Sequence, residues 1–115
     1  MKRVEAIISS EKVSAVNEAL RSVGVGGATI LDAKGRGKGE KPQVQSGRGT
    51  KRLLSAEFSN RANVVTVVDD SDVEKVIKTI IDTTSTGSAG DGKIFVSPVS
   101  EAIDIGTKKR GQVAI

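Results

Sequence analysis

Apolar residues recur along this chain in two rhythms, and the switches between them mark six elements. Arg3 to Ile8 is a short apolar run suited to a buried strand. In the next segment, EKVSAVNEALRSVG, residues Val13, Val16, Leu20 and Val23 fall at helical spacing, and Gly24 is a good helix stop. Ala28 to Ala33 reads as a second strand. Asn63 to Val68 contains VVTVV, which is too apolar for a strand exposed on either face and so predicts a central one. Val73, Val76, Ile77, Ile80 and Ile81 trace a second helical face, with Ser71 and Glu74 spaced as a capping box at its start. Lys93 to Val96 completes the pattern as a fourth strand.

Strand, helix, strand, strand, helix, strand is the order of an α+β, ferredoxin-like βαββαβ domain, with two helices covering one face of a four-stranded sheet. The apolar runs Ala6 to Ile8 and Val64 to Val68 are continuous, so burial is expected on the second face as well. No element is left over to cover that face, which predicts an oligomer. One domain spans residues 1–115. Gly35 to about Ser59 carries neither rhythm and is expected to be a long mobile loop between strands two and three, whereas the tail from Ser100 to Ile115 shows only a short apolar cluster at Ala102, Ile103 and Ile105.

Composition narrows the chemistry. The 115 residues include no Cys, His, Tyr or Trp. Thiolate nucleophiles, Cys/His zinc sites and histidine acid–base catalysis are thereby removed, so the expectation is not an enzyme, with no catalytic residues and no metal held by the protein alone. Phe58 and Phe95 are the only aromatics, and the core must come from aliphatic side chains. No run reaches the roughly 18 apolar residues of a membrane span, and the first residues lack the apolar stretch of a secretory signal, which predicts a cytoplasmic protein that meets a membrane only through a partner. The net charge is +4, and Lys34, Arg36, Lys38, Lys41, Arg48, Lys51, Arg52 and Arg61 crowd the loop region against Glu40 and Glu57 alone. An anionic partner is implied.

The stretch GSAGDGKIFV, residues 87–96, carries the most chemistry. Gly87 to Lys93 satisfies the spacing of a phosphate-binding P-loop, but a strand-forming Ile-Phe-Val follows the lysine where that motif needs Ser or Thr and a helix. A glycine-rich turn leading to a lysine can still aim amides and a positive charge at phosphate. Taken alone, Lys93 is more simply an exposed charge at a strand start.

Extended by one residue, Thr86 to Val96 resembles the carboxy-terminal signature of the PII nitrogen-regulatory signal-transduction proteins. The amino-terminal MKRVEAII, the Gly35-x-Gly37 opening of the long loop, VVTVVDD and the closing Ala-Ile fall in the order of that family, so the resemblance covers the whole chain. It implies a ferredoxin-like homotrimer that binds ATP or ADP, with AMP as a further candidate, in clefts between subunits. The long loop, residues 35–62, would then control an ammonium transporter or a nitrogen-assimilation enzyme. By position, the resemblance assigns Ile7, Thr29, Gly35, Gly37, Lys38, Val67, Gly90, Asp91, Gly92 and Lys93 to the nucleotide, Arg61 to a 2-oxoglutarate carboxylate, and Arg48 and Arg52 to the partner.

Three departures from the family bear on mechanism. The loop has no tyrosine, so modification at one is excluded, and Ser46, Thr50 and Ser55 read as ordinary loop hydroxyls. Gly39 stands where many members carry a glutamine that helps hold Mg beside ATP and 2-oxoglutarate, which leaves sensing of Mg and 2-oxoglutarate open unless Gln43 or Gln45 reaches the metal. Asp104 and Gly106 stand where many members place arginines on the phosphates. Either the phosphate grip is weaker, favouring ADP or AMP, or Lys108, Lys109 and Arg110 supply the charge. The rival reading is an RNA-binding module of the same element order, which would need aromatic side chains on the inner strands that this sequence does not have. An acylphosphatase-like hydrolase would need a positioned Arg and Asn where Ser9, Ser10 and Glu11 stand.

Overall fold

A computed structural model describes residues 1–37 and 58–115. Strands β1 (Lys2–Ser9), β2 (Thr29–Gly35), β3 (Ser59–Val68) and β4 (Gly92–Pro98) form one sheet in the order β2-β3-β1-β4, every neighbouring pair antiparallel. Helix α1 (Val13–Ser22) follows β1, and α2 (Val73–Thr84) follows β3. This is the expected ferredoxin-like arrangement. Lys38, Gly39, Arg48 and Arg52 lie outside the described residues.

The period of the sequence decides which side chains the helices cover. Val4, Ala6 and Ile8 of β1 and Ala62, Val64, Thr66 and Val68 of β3 are buried, while the residues between them are not. Val16 and Leu20 of α1 and Val73, Val76 and Ile80 of α2 close the same core. Each such aliphatic side chain contributes about 1.5–3 kcal/mol on burial. Ile81, expected on the apolar face of α2, is instead 47% exposed: one residue past Ile80 it turns about 100° away from the sheet. On the opposite sheet face, Ile7, Val65 and Val67 are half-buried while Leu31 and Phe95 are exposed, so an apolar surface stands uncovered in the single chain.

Local chemistry sets the helix ends. Gly24 adopts φ +89°, the Gly24 amide donates to the Arg21 carbonyl at 3.1 Å, and the Val25 amide donates to the Leu20 carbonyl at 3.0 Å. That pair of bonds is a Schellman closure, which requires a left-handed residue at this position. The start of α2 differs from the capping box that the sequence suggests. A single 3-10 turn, Asp70–Asp72, precedes the helix, and Ser71 lies inside it. Asp69 caps that turn: its carboxylate accepts the Asp70 amide at 2.9 Å and the Ser71 hydroxyl at 2.8 Å.

The strands also run further than the apolar rhythm indicates. Gly35 pairs with Ser59 and Ala33 with Arg61, so residues 35 and 59–62, expected in the loop, belong to the ladder. Backbone hydrogen bonds hold this ribbon with Ala33 and Ala62 as its only apolar side chains, and its polar residues hid it from a pattern based on hydrophobicity.

Candidate functional site

The turn before β4 is built around one carboxylate. Asp91 accepts the Thr86 amide at 2.6 Å, the Thr86 hydroxyl at 2.5 Å and the Ser88 amide at 3.2 Å. These bonds, that of the Thr86 hydroxyl foremost, hold the Asp91 carboxyl below the usual carboxylate range. Gly90 and Asp91 donate their own amides back within the turn, to the Ser88 hydroxyl and carbonyl, each at 3.2 Å. Gly92 then enters the strand at φ +128°, and a β-carbon there would stand 2.1 Å from the Ile7 carbonyl oxygen. Only glycine lets β4 approach β1 at this point.

Asp91 gives the turn a pH dependence with a definite sign. Because its folded-state pKa is depressed, its contribution is complete above the unfolded value of about 3.9 and is lost as pH falls through the lower folded value. Stability towards urea, followed into the acid range, should therefore fall less steeply in Asp91→Asn than in the parent chain, from a lower starting point at neutral pH. Parallel acid profiles for the two proteins would show that the carboxylate does not hold the turn.

Beside this turn lies a groove of about 190 Å³, lined by Ile7, Gly35, Arg36, Gly37, Arg61, Gly90, Gly92, Lys93 and Phe95 with Ala89. Seven residues singled out in the sequence thus meet in one place: Ile7, Gly35, Gly37, Arg61, Gly90, Gly92 and Lys93. Lys93 pairs with Ile7 across the β1–β4 ladder, is exposed, and makes no ion pair or side-chain hydrogen bond among the described residues. Ile7 and Phe95 add apolar surface, so the groove offers both a cationic and an apolar wall.

Three of the expected residues sit elsewhere. Asp91 does not line the groove, since its carboxylate is committed to the turn; it borders a larger depression of about 460 Å³ between α2 and β4. Thr29 lies on β2 opposite Val65, and Val67 lies on β3 opposite Arg3, both away from the groove on the open side of the sheet. Within one chain these two do not join the cluster around Lys93.

Arg61 plays a part that the sequence did not disclose. Its Nη1 donates to the Gly90 carbonyl at 2.8 Å and its Nε to the Ser59 hydroxyl at 3.0 Å, tying the start of β3 to the turn before β4. The partner is 29 residues away, so no local spacing announces it. In the tail, Asp104 closes a tight turn, accepting the Thr107 amide at 2.7 Å and the Thr107 hydroxyl at 3.0 Å, while Ile103 bridges Arg110. Arg110 is paired with Glu101 at 2.6 Å, and Gln112 donates to Asp69.

A model of the family described as nitrogen regulatory protein P-II matches residues 1–109 of this chain. The chain belongs to that family. A P-II protein of Azospirillum brasilense is 41% identical over 115 residues, covering all of both chains. The P-II 2 protein of Methanothermobacter thermautotrophicus is 37% identical, over all of this chain and 97% of that one. Among solved structures, that of Arabidopsis thaliana PII bound to citrate superposes with a TM-score of 0.78 at 34% identity, over 99% of this chain and 91% of the other. P-II membership makes this a protein of a regulatory signalling family, and none of its described helices is long and apolar enough to cross a membrane.

Proposed function

We propose that this P-II family member is a non-enzymatic regulator that binds an adenine nucleotide between the subunits of a homotrimer. Through the segment that follows Gly37 it controls a partner of nitrogen metabolism, an ammonium transporter or an assimilation enzyme. The observation that carries this reading is the groove at the Gly90–Lys93 turn, where the Lys93 ammonium, without a partner among the described residues, faces a glycine-lined wall at the root of that segment.

The residues present fit such a ligand. Lys93, with Arg61 and Arg36 at the rim, supplies positive charge for phosphate oxygens, and Ile7 and Phe95 supply surface for a flat, weakly polar base. Lys38 would extend the cationic wall. Gly92 brings the backbone close, and Asp91 holds the turn without itself facing the phosphates. Thr29 and Val67, on a different part of the sheet, enter the same site from a neighbouring subunit. Arg48 and Arg52 are the candidates for contact with the partner protein.

Arg61 is a weaker candidate for 2-oxoglutarate than the alignment of motifs implies, because its guanidinium already serves Gly90 and Ser59. A dicarboxylate would have to displace one of those bonds or share the group. At the tail, Asp104 and Arg110 already have partners, which leaves Lys108 and Lys109 as the cations that could reach a phosphate. The reading as an RNA-binding module draws no support, since β1 and β3, the middle strands, carry no aromatic residue on which a base could stack.

Ligand-driven regulation of this kind needs only a modest difference in affinity between two states of the segment. A preference of about 1–3 kcal/mol changes partner affinity roughly 5- to 150-fold. Titration calorimetry with ATP, ADP and AMP, each with and without Mg and 2-oxoglutarate, tests the proposal. Saturable binding of at least one of the three nucleotides at one site per chain is the expected result. Absence of heat with all three, or tighter binding of RNA at physiological salt, would reject it.

A further inference from the structure

The self-association proposed above leaves one question that the sheet itself addresses, namely what fixes how the copies pack; the answer offered here rests on that self-association. The face of the sheet turned away from the helices is largely apolar, with Ile7, Leu31, Val65, Val67 and Phe95 on it. A carboxylate stands in its middle. Glu5 lies opposite Val65 on one side and Phe95 on the other. Its Oε1 accepts the Asn63 side-chain amide at 2.6 Å, and its Oε2 is 3.6 Å from the Arg3 guanidinium. Even in the single chain the Glu5 side chain is only 28% exposed, against 46% for Arg3. The Asn63 Oδ1 is buried with no donor among the described residues, so the amide is oriented by Glu5 alone.

Covering this face has opposite consequences for its two kinds of residue. The aliphatic and aromatic side chains gain from losing water, whereas a carboxylate loses its hydration and needs a cation or donors in return. A wholly apolar partner would leave Glu5 with the Asn63 amide and a loose 3.6 Å pair to Arg3, and nothing in return for the hydration it loses. A second copy of this chain brings its own Arg3, the more exposed member of the pair, together with its own Glu5. The face therefore complements itself in charge, and it does so only in arrangements that bring a guanidinium to each carboxylate.

We propose that Glu5, held by Asn63 and faced by Arg3, is the polar register of the contact between copies of this chain: it penalises packings that would lay an apolar side chain over the carboxylate. Most of the attraction comes from the surrounding apolar surface, and the cluster selects one stoichiometry and orientation from those that surface permits. A single polar residue in an apolar interface acts in this manner in coiled coils.

Sedimentation velocity of the full chain at low and high salt, with circular dichroism as a check on folding, tests this. The parent chain is expected to sediment as one defined oligomer. Glu5→Leu should still associate but spread over more than one stoichiometry. Arg3→Glu, which places two acids side by side, should weaken association at least about tenfold, and adding Glu5→Arg to it should restore a single species. One sharp oligomer for Glu5→Leu, together with unchanged association of Arg3→Glu, would overturn the register role while leaving self-association intact. A parent chain that stays monomeric at every loading would overturn both, and would hand the face to some other protein. Should Glu5→Leu fail to fold, Glu5→Gln keeps the shape and the Asn63 bond, and a salt dependence of association equal to that of the parent would count against the proposal.

Discussion

Gly92→Ala is expected to lower stability by about 3 kcal/mol and to abolish nucleotide binding. Two independent effects combine there. The backbone at residue 92 sits at φ +128°, where an L side chain is strained whatever the surrounding space, and the new β-carbon would overlap the Ile7 carbonyl oxygen at 2.1 Å. That oxygen belongs to the central strand of the sheet and cannot swing aside as a side chain would. A control two residues earlier separates the two glycines: at Gly90 a β-carbon would meet nothing nearer than the Ser88 hydroxyl, at 3.7 Å, and the backbone is not left-handed. Gly90→Ala should therefore shift the urea midpoint little, whereas Gly92→Ala should shift it strongly at an unchanged slope. Equal midpoints for the two variants would mean that β4 does not enter the sheet as described.

Lys93→Glu is expected to weaken adenine-nucleotide binding about 100-fold while leaving the fold almost untouched. The side chain is exposed and bonded to nothing among the described residues, so its removal takes no native contact with it. Reversal of its charge replaces attraction for phosphate with repulsion inside a groove shared with Arg61 and Arg36. Lys93→Ala should fall between, at about tenfold, and high salt should narrow the difference among all three proteins. Calorimetry gives the affinities and urea denaturation the stabilities. An unchanged affinity for Lys93→Glu would move the nucleotide away from this turn.

The apolar rhythm made the architecture legible because burial of one face is what keeps each element in place. Val4, Ala6 and Ile8 alternate, Val16 and Leu20 recur at one turn, and both patterns survive in the folded protein. Gly24 marked a helix end because a Schellman closure has few alternatives to glycine. What escaped was polar and non-local. Asp69, not Ser71, supplies the capping side chain, and it caps the 3-10 turn that precedes α2, which the side-chain spacing does not encode. The early part of β3 was hidden because Asn60 and Arg61 interrupt the alternation while the backbone goes on pairing. The family resemblance assigns Asp91 to the nucleotide and Arg61 to 2-oxoglutarate, whereas their hydrogen bonds show each supporting the Thr86–Gly92 turn. A carboxylate can satisfy a turn or face a ligand, and sequence alone does not tell the two apart.

The sheet order has a consequence for how such a protein responds to its own abundance. With β2 and β4 as the outer strands, Thr29 and Lys93 are separated by three strand spacings, about 14 Å. If the proposed nucleotide meets Thr29 of one chain and Lys93 of another, its apparent affinity includes the work of bringing those chains together. On the proposed reading, dilution should loosen the nucleotide without altering a single residue, and protein abundance would act as a second input beside it.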